Sequence, residues 1–441
     1  MNIQKYVSSK YSGSPEWFVE ECDSVYNQNL VEEYLSIRKY LDGQHKICNS
    51  QVVTWNGKTY ENTVTVLQYA KLIIQIQCSY LLKNGICLIS ENENTLNEFK
   101  NVYKKGKYNT TNWQILNDLC RFGNAYEYIF KIGDVIKSKV INVEDCFEVL
   151  DPETNEVLCT IEHWEDLDGV GYWNIYYPDS VECWTNTGGY LHCSNNYRNS
   201  SGLPIHYKNN LNELDGSRGK SQIFDIVGII DNMELLLSRG QDSLERYIDP
   251  IFLLSGQPIN LGKDGSGAFD KNVGGKGIVT DETGTAKFIS GNVAIEDMKN
   301  LYNILVQTLM NIGMTSSVML NNAEIANISE VSIKLLFNLQ NIKSSMDIMF
   351  MQEGVEKRNQ MITEMLKDMG KDVDDSITVQ FSPAIPQLES EIVDNLEKLR
   401  GMGGISKLTM IERNPYVNNV LLEVKRLEEE GVKEVVDKTE E

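Results

Sequence analysis

Between Ser290 and Gly370 the chain carries two helical patterns joined by a short apolar, Asn-containing loop, and this stretch constrains the fold most. In its first half, Ala294 to Gly313, the residues Ile295, Met298, Leu301, Leu305, Leu309 and Ile312 recur at three- and four-residue steps. That spacing lines one face of a helix. Asn292 is placed to cap its start, with Glu296 and Asp297 near the positive end of the helix dipole. A break from Thr315 to Ala323 follows, before Asn327 and Glu330 suggest a second capped start. Leu335, Leu339, Ile342, Met346 and Met349 then repeat the stripe. If helical to Lys367, this second element is about 60 Å long at roughly 1.5 Å per residue. A helix of that length needs neighbours, because intrinsic propensity stabilises little. The periodicity fits an intramolecular bundle, or a helix–loop–helix packing on copies of itself around an axis.

Composition narrows the class. At 441 residues, 41% hydrophobic and 24% charged, the chain can bury a sizeable core and form two or three substructures of a soluble protein. The weakly polar run Leu72 to Leu82 is too short to span a bilayer, and Met1 to Lys5 lacks the apolar core of a signal peptide. No membrane association is therefore expected. Nine cysteines lie between Cys22 and Cys193 without a Cys-x-x-Cys pair, as expected of reduced thiols made in a cytoplasm. The net charge of −22 argues against a protein that grips DNA by its phosphates. It is compatible with a wall that DNA passes without being held, and equally with acidity that serves solubility.

Along the chain, helices are predicted over residues 15–40, Thr63 to Leu82 and Asn112 to Phe122. From Gly123 the period becomes alternating: Ala125–Phe130, Lys139–Val143, Cys146–Leu150, Val157–His163, Gly171–Tyr177, Ser180–Thr185 and Gly189–Cys193 read as strands of an antiparallel meander. Leu203 to Asn210 closes this region, and helix returns from Lys220 to Tyr247, stopped by Asp249-Pro250. Within the following insert, Gly277–Thr280 and Ala286–Ile289 are predicted to pair. A strand, Ile377–Phe381, and helices over Gln387–Arg400 and Asn418–Glu430 complete the chain.

Catalytic chemistry is not legible. Gly219-Lys220-Ser221 opens a helix as a phosphate-cradling loop does, but that motif requires a glycine where the chain has Leu214. The four histidines, His45, His163, His192 and His206, show no ligand spacing for a metal. No Gly-x-Ser-x-Gly elbow appears and no acid/base pair of carboxylates stands out. No enzyme activity, metal or cofactor is expected.

Six modest motifs, in order, resemble those of phage portal proteins, in particular those of long-tailed phages of Gram-positive bacteria. They are Tyr40 to Ile47 (Y-x-x-G-x-H-x-I), Tyr80 to Gly85 (Y-L-L-x-x-G, lacking the family's proline), Gly123 to Glu127 (G-x-A-Y-E), Pro204 to Asn210 (P-I-x-x-x-N-N), Ile229 to Asp231, and Gly404 to Thr409. The resemblance implies an α+β portal fold. Residues 1–219 would form an α/β wing of N-terminal helices and antiparallel strands. Residues 220–247 and 294–315 would make a two-helix stem around a small mixed clip, 248–293. A tunnel loop, 316–328, would precede a long wing-spanning helix and return, 329–400, with Gly354 a candidate bend, and a short helical crown, 401–441. It also implies a homo-oligomer, usually of twelve copies, at one capsid vertex, assembled in the host cytoplasm. Double-stranded DNA would be packaged and ejected through it without sequence recognition. The implied partners are the terminase large subunit, the major capsid and scaffolding proteins, and a head–tail adaptor. Ser316, Ser317, Val318, Met319, Leu320, Asn321 and Asn322 would be the channel loop, and Lys263, Asp264, Lys271, Lys276, Asp281 and Glu282 the clip surface that docks motor and connector. The rival expectations are a scaffold or adaptor without a DNA channel, and a nucleotide hydrolase using Gly219-Lys220-Ser221.

Overall fold

The computed structural model describes residues 2–50, 52–55, 58–248, 251–255, 285–289, 295–316, 335, 337–383, 389–414, 416–417 and 423–430. Its N-terminal part is helical: α1 (Ile3–Lys10), α2 (Trp17–Cys22) and α3 (Val25–Leu41). The single helix expected over 15–40 is therefore two. Ser24 breaks it, accepting from the Asn27 amide as an N-cap, while Asn27 Nδ2 donates 2.8 Å to the Glu21 carbonyl at the end of α2. A hairpin, β1 (Val52–Trp55) and β2 (Lys58–Glu61), follows with Trp55 opposite Lys58. Asn56-Gly57 between the two strands is its sequence signal.

Helix α4 spans Tyr69–Leu82, six residues shorter at its start than predicted. The amides of Thr63, Thr65 and Leu67 donate instead to Asp242 Oδ1, Ser238 Oγ and Glu234 Oε1. Distant side chains thus replace the carbonyls that a helix would supply. Strand β3 (Ile86–Ile89) leads to α5 (Glu93–Gly106), capped by Asn92, and α6 (Tyr108–Phe122), which ends at Gly123 with φ +79°.

The alternating region forms two antiparallel sheets instead of one meander. Strand β4 (Asn124–Ile132) pairs with β5 (Val135–Ile141) on one side. Five consecutive strands, β6 (Cys146–Leu150), β7 (Val157–Glu165), β8 (Gly171–Tyr176), β9 (Ser180–Thr185) and β10 (His192–Arg198), make the second sheet in sequential order. The last was expected at Gly189–Cys193, but Gly188 and Gly189 adopt φ of +81° and +85° in the turn before it. Strand β11 (Ile205–Lys208) returns to the free side of β4.

Helix α7 (Phe224–Ile248) precedes a ribbon in which β12 (Ile251–Ser255) pairs antiparallel with β13 (Thr285–Ile289). The partner of Ala286–Ile289 is thus the segment just after α7, not the expected Gly277–Thr280, which lies outside the described residues. After α8 (Ile295–Ile312) comes α9 (Asn338–Asp368), about 46 Å long at roughly 1.5 Å per residue. Strand β14 (Thr378–Phe381) crosses back to pair with β3. Helices α10 (Glu389–Gly401) and α11 (Lys407–Glu412, capped by Ser406) and a helical run at 423–430 end the described chain.

One large core joins these parts. Ile73 and Leu81 of α4, Ile115, Leu116 and Leu119 of α6, Ile226 and Ile230 of α7, Leu309 of α8, and Met351, Val355 and Ile362 of α9 all bury in it. Each such side chain contributes roughly 1.5–3 kcal/mol when fully removed from water. A second cluster packs Trp17 and Phe18 of α2 on Trp173 and Ile161 of the five-stranded sheet.

Candidate functional site

The helix pair α7–α8 and the long helix α9 fall in the segments that the resemblance assigns to a stem and to a helix spanning the wing. Gly240 of α7 lets α8 approach: a Cβ there would lie 2.4 Å from Met298 Sδ. Val306, Leu309 and Met310 of α8 are buried, whereas Leu301, Ile304 and Ile312 are exposed. The apolar face read from the sequence is therefore split between the core and the surface. The end of α8 is held by Lys343 of α9, whose Nζ donates 3.1 Å to the Gly313 carbonyl. A cation at this end complements the helix dipole. Met314 turns the chain with φ +48°, and Thr315 and Ser316 are buried. Of the expected channel loop, Ser316 is thus placed inside the subunit, and Ser317 to Asn322 lie outside the described residues. The expected clip residues Lys263, Asp264, Lys271, Lys276, Asp281 and Glu282 lie outside them too.

Helix α9 presents two unlike faces near its start. Gln340, Lys343, Ser344 and Asp347 are buried. Asp347 accepts from Gln77 Nε2 at 2.5 Å and Gln222 Nε2 at 2.6 Å. Burial raises the Asp347 carboxyl above its ordinary range, outweighing the Lys343 ammonium and the amide donors. On the outside, Leu335, just before α9, is 69% exposed, Leu339 39%, Ile342 45% and Met349 60%. Further along, Arg358 is fully enclosed. Its Nε and Nη2 donate to Glu127 Oε2 at 2.9 and 2.8 Å, its Nη1 to Asn112 Oδ1 at 2.6 Å, and the Tyr207 hydroxyl donates 2.6 Å to the same carboxylate. Glu127 keeps the guanidinium charged against the cost of burial. Gly354, expected as a bend, lies within the continuous α9. A Cβ there would fall 2.1 Å from the Tyr207 ring, so glycine is needed for close approach.

Four of the six sequence motifs meet as internal junctions. In the first, His45 stands between acceptors, with Nε2 2.9 Å from the Tyr40 carbonyl and Nδ1 2.5 Å from Glu234 Oε1 of α7, and the Tyr40 ring stacks on it at 3.9 Å. Gly123 and Gly219 touch so closely that a Cβ on Gly219 would lie 2.0 Å from the Gly123 carbonyl oxygen. Asn124 Oδ1 accepts from the Gly219 amide at 2.8 Å, and Asn209 Oδ1 accepts from the Lys220 amide at 2.9 Å. The backbone donors that a phosphate would need are thus committed to asparagines. His206 donates to Glu148 at 2.9 Å. Burial alone would raise Glu148, but the His206 imidazole together with the Arg218 and Lys208 charges outweighs it and holds that carboxyl below its ordinary range. In the fourth, Ile230 is buried in the main core, next to Asp231 of α7. The contacts of His45 with Glu234 and of Asn124 with Gly219 were not legible beforehand, because their partners stand 189 and 95 residues away.

Among the described residues, no three His, Cys, Asp or Glu side chains are grouped to hold a metal ion, and no helix is long and apolar enough to cross a membrane. An open cavity of about 860 Å³ between the five-stranded sheet and α9 is lined by Glu148, His206, Lys208, Glu353 and Lys357, a mixture of both charges.

Three solved structures share 11% identity with the chain, each covering 77% of it and 86% of their own chain. They are the neck of an empty gene transfer agent (GTA) particle with C6 symmetry, the neck of a native GTA particle with C12 symmetry, and the virion of a native GTA particle, with TM-scores of 0.43, 0.41 and 0.40. No curated protein matches the chain. The family described as phage portal protein, SPP1 Gp6-like, matches residues 25–436, nearly the whole sequence. With its mixed α+β architecture and its helix pair ahead of a long helix, the chain belongs to that family of phage portal proteins, structural components of the virion.

Proposed function

We propose that the chain assembles into a ring at one capsid vertex, enclosing a channel through which double-stranded DNA is packaged and later ejected. In this reading residues 1–219 form the wing, 220–247 and 294–315 the stem, 248–293 the clip, 316–328 the tunnel loop, 329–400 the long helix and its return to the wing, and 401–441 the crown. The clip docks the terminase motor and then the head–tail adaptor. The tunnel loop, led by Val318, Met319, Leu320 and Asn321, touches DNA by shape instead of by ion pairs.

The observation that carries the proposal is the inside-out start of α9. Its buried face is polar, with Gln340, Lys343, Ser344 and Asp347, while Leu339, Ile342 and Met349 face outward with Leu335. A helix serving only its own subunit places the apolar stripe inward. An outward stripe at three- and four-residue spacing suits packing on copies of the same chain. The charge of −22 per subunit suits a conduit, because a wall rich in lysine would hold the phosphates.

Solution mass together with negative-stain images of the purified chain tests this reading. About twelve copies around a central hole is the expected result. A compact dimer or tetramer without a hole, under conditions where the subunit is folded, would remove the channel.

A further inference from the structure

We propose that the second half of α5, with the adjoining β4–β5 hairpin, holds duplex DNA by its phosphates on a surface separate from the channel segments. The choice of duplex DNA among polyanions rests on the reading just given, whereas the patch itself follows from local charge. Residues 99–139 carry eight basic and three acidic side chains, in a chain whose whole balance is 41 to 63. Two of those acids are withdrawn from the surface, since Glu127 is enclosed with Arg358 and Asp118 is half-buried.

The fold gathers the lysines. Thr95, Phe99 and Val102 of α5 turn into the core, so its opposite face shows Asn97, Lys100, Asn101, Lys104 and Lys105, all exposed. Gly106 brings this end of the helix onto β5, where a Cβ would lie 3.0 Å from the Ile136 carbonyl oxygen. Ile136 in turn stands opposite Lys131 of β4. Lys105, Lys131 and Lys371 thus surround one open cavity of about 450 Å³ between α5, the hairpin and the end of α9. Of the two carboxylates on its rim, Glu98 is tied to Lys371 at 3.1 Å, and Asp134 lies at the hairpin tip.

Lys10, Lys139, Lys357, Lys367 and Lys371 each have a carboxylate partner. Among the described residues Lys100, Lys104, Lys105, Lys107 and Lys131 form no ion pair, and they make a local field opposite in sign to the whole chain. Complementing the α5 dipole accounts for Lys104 and Lys105, which lie in its last turn, but not for Lys100 or Lys131. The chemistry of the face selects the partner. Protein interfaces concentrate aromatic residues, Met and Arg at their centre and are poor in lysine. The outer face of α5 is lysine and asparagine, with Phe99 and Val102 beneath. Such a face suits a phosphate backbone, which lysine meets as a point charge and asparagine as a hydrogen-bond donor. Lys100 and Lys104 are one turn, about 6 Å, apart along the helix. Duplex DNA presents a charge every ~1.7 Å of its axis, so no special register is required. Holding phosphates would impede sliding inside a channel, but these lysines fall in the segments read as the wing and its return, outside the stem and tunnel loop.

The test titrates the full chain into a labelled linear duplex of about 30 base pairs and follows anisotropy between about 50 and 200 mM salt. The native chain should bind with an affinity that falls steeply as salt rises. Lys100→Gln, Lys104→Gln, Lys105→Gln and Lys131→Gln together should weaken binding at least tenfold. They should also lower the slope of log affinity on log salt by about 3, at roughly 0.9 per phosphate contact. Four exposed lysines elsewhere, changed as Lys39→Gln, Lys71→Gln, Lys357→Gln and Lys367→Gln, should leave binding nearly unchanged. No binding by the native chain, or equal losses in the two quadruple variants, would overturn the patch. Labelled poly-glutamate captured as tightly as the duplex, and released by the same four changes, would overturn DNA in favour of an acidic protein partner. Solution mass and negative-stain images of the same samples separate the patch from the conduit. Rings with a central hole whose DNA binding ignores the four lysines would leave the conduit standing and overturn the patch. Lysine-dependent binding by a folded chain that forms no ring would support the patch and remove the conduit.

Discussion

The two halves of α9 solve opposite problems. From Phe350 to Asp368 the helix is closed by its own subunit, with Met351, Val355 and Ile362 in the core and Arg358 locked to Glu127, Asn112 and Tyr207. From Asn338 to Met349 the inner face is polar and the outer face apolar. Burying Arg358 beside Glu127 is costly to both charges, so the pair fixes where α9 sits more than it adds to stability. The outward stripe gives the subunit alone little and becomes valuable when another surface covers it. A single helix thus joins a half that completes the subunit to a half whose apolar face the subunit leaves uncovered.

The sharpest way to break this contrast is to unlock the second half. Arg358→Met should cost the subunit about 3–5 kcal/mol, because Glu127 is left buried without its partner. Urea unfolding at low protein concentration measures it, and Glu127→Gln in the same chain should recover part of the loss. Gly354→Ala should cost about 1–3 kcal/mol through overpacking on Tyr207, seen as a lowered melting temperature.

The buried carboxyl of the first half provides a pH signature. Burial raises Asp347 in the folded state, so its contribution is fully present below the unfolded value of about 3.9 and is lost as pH rises through the higher folded value. Asp347→Asn should therefore flatten the fall in stability with rising pH, followed by urea midpoints across a pH series. The smallest effect on the subunit should come from Leu339→Asp, within about 0.5 kcal/mol, since the side chain is partly exposed. That same change should abolish large assemblies in solution-mass measurements. If it unfolds the subunit instead, the stripe belongs to the monomer and the contrast fails.

Much of the architecture was legible because it is local. The stripe of α9, the stop of α7 before Asp249-Pro250 and the short alternating strands follow from period and punctuation. The start of α4 was misplaced because Val64 and Leu67 extend the helical stripe of α4, although Thr63 to Val66 alternates and is β-branched, and three side chains of α7 hold it extended. The break at Ser24 and the hairpin at Asn56-Gly57 had local signals, a capping serine and a turn dipeptide, that yield only when a strong helical period is not allowed to override them. The division of the strands into a three-stranded and a five-stranded sheet depended on β11 returning to β4 across 72 intervening residues (205 − 132 − 1), which alternation cannot announce.

The sequence by itself determined the order of elements, the acid excess, the apolar stripes and the motifs of the family, since each of these is a property of neighbouring residues. Only the tertiary structure decided which stripe is inside. Leu309 and Leu339 occupy equivalent places in their patterns, yet one is buried and the other exposed. The tertiary structure also turned scattered motif residues into junctions, committing the amides of Gly219 and Lys220 to Asn124 and Asn209 and the charge of Arg358 to Glu127. The physical reason is common to both. Burial and hydrogen-bond satisfaction are set by what arrives from elsewhere in the chain, and period or composition records only what each segment offers.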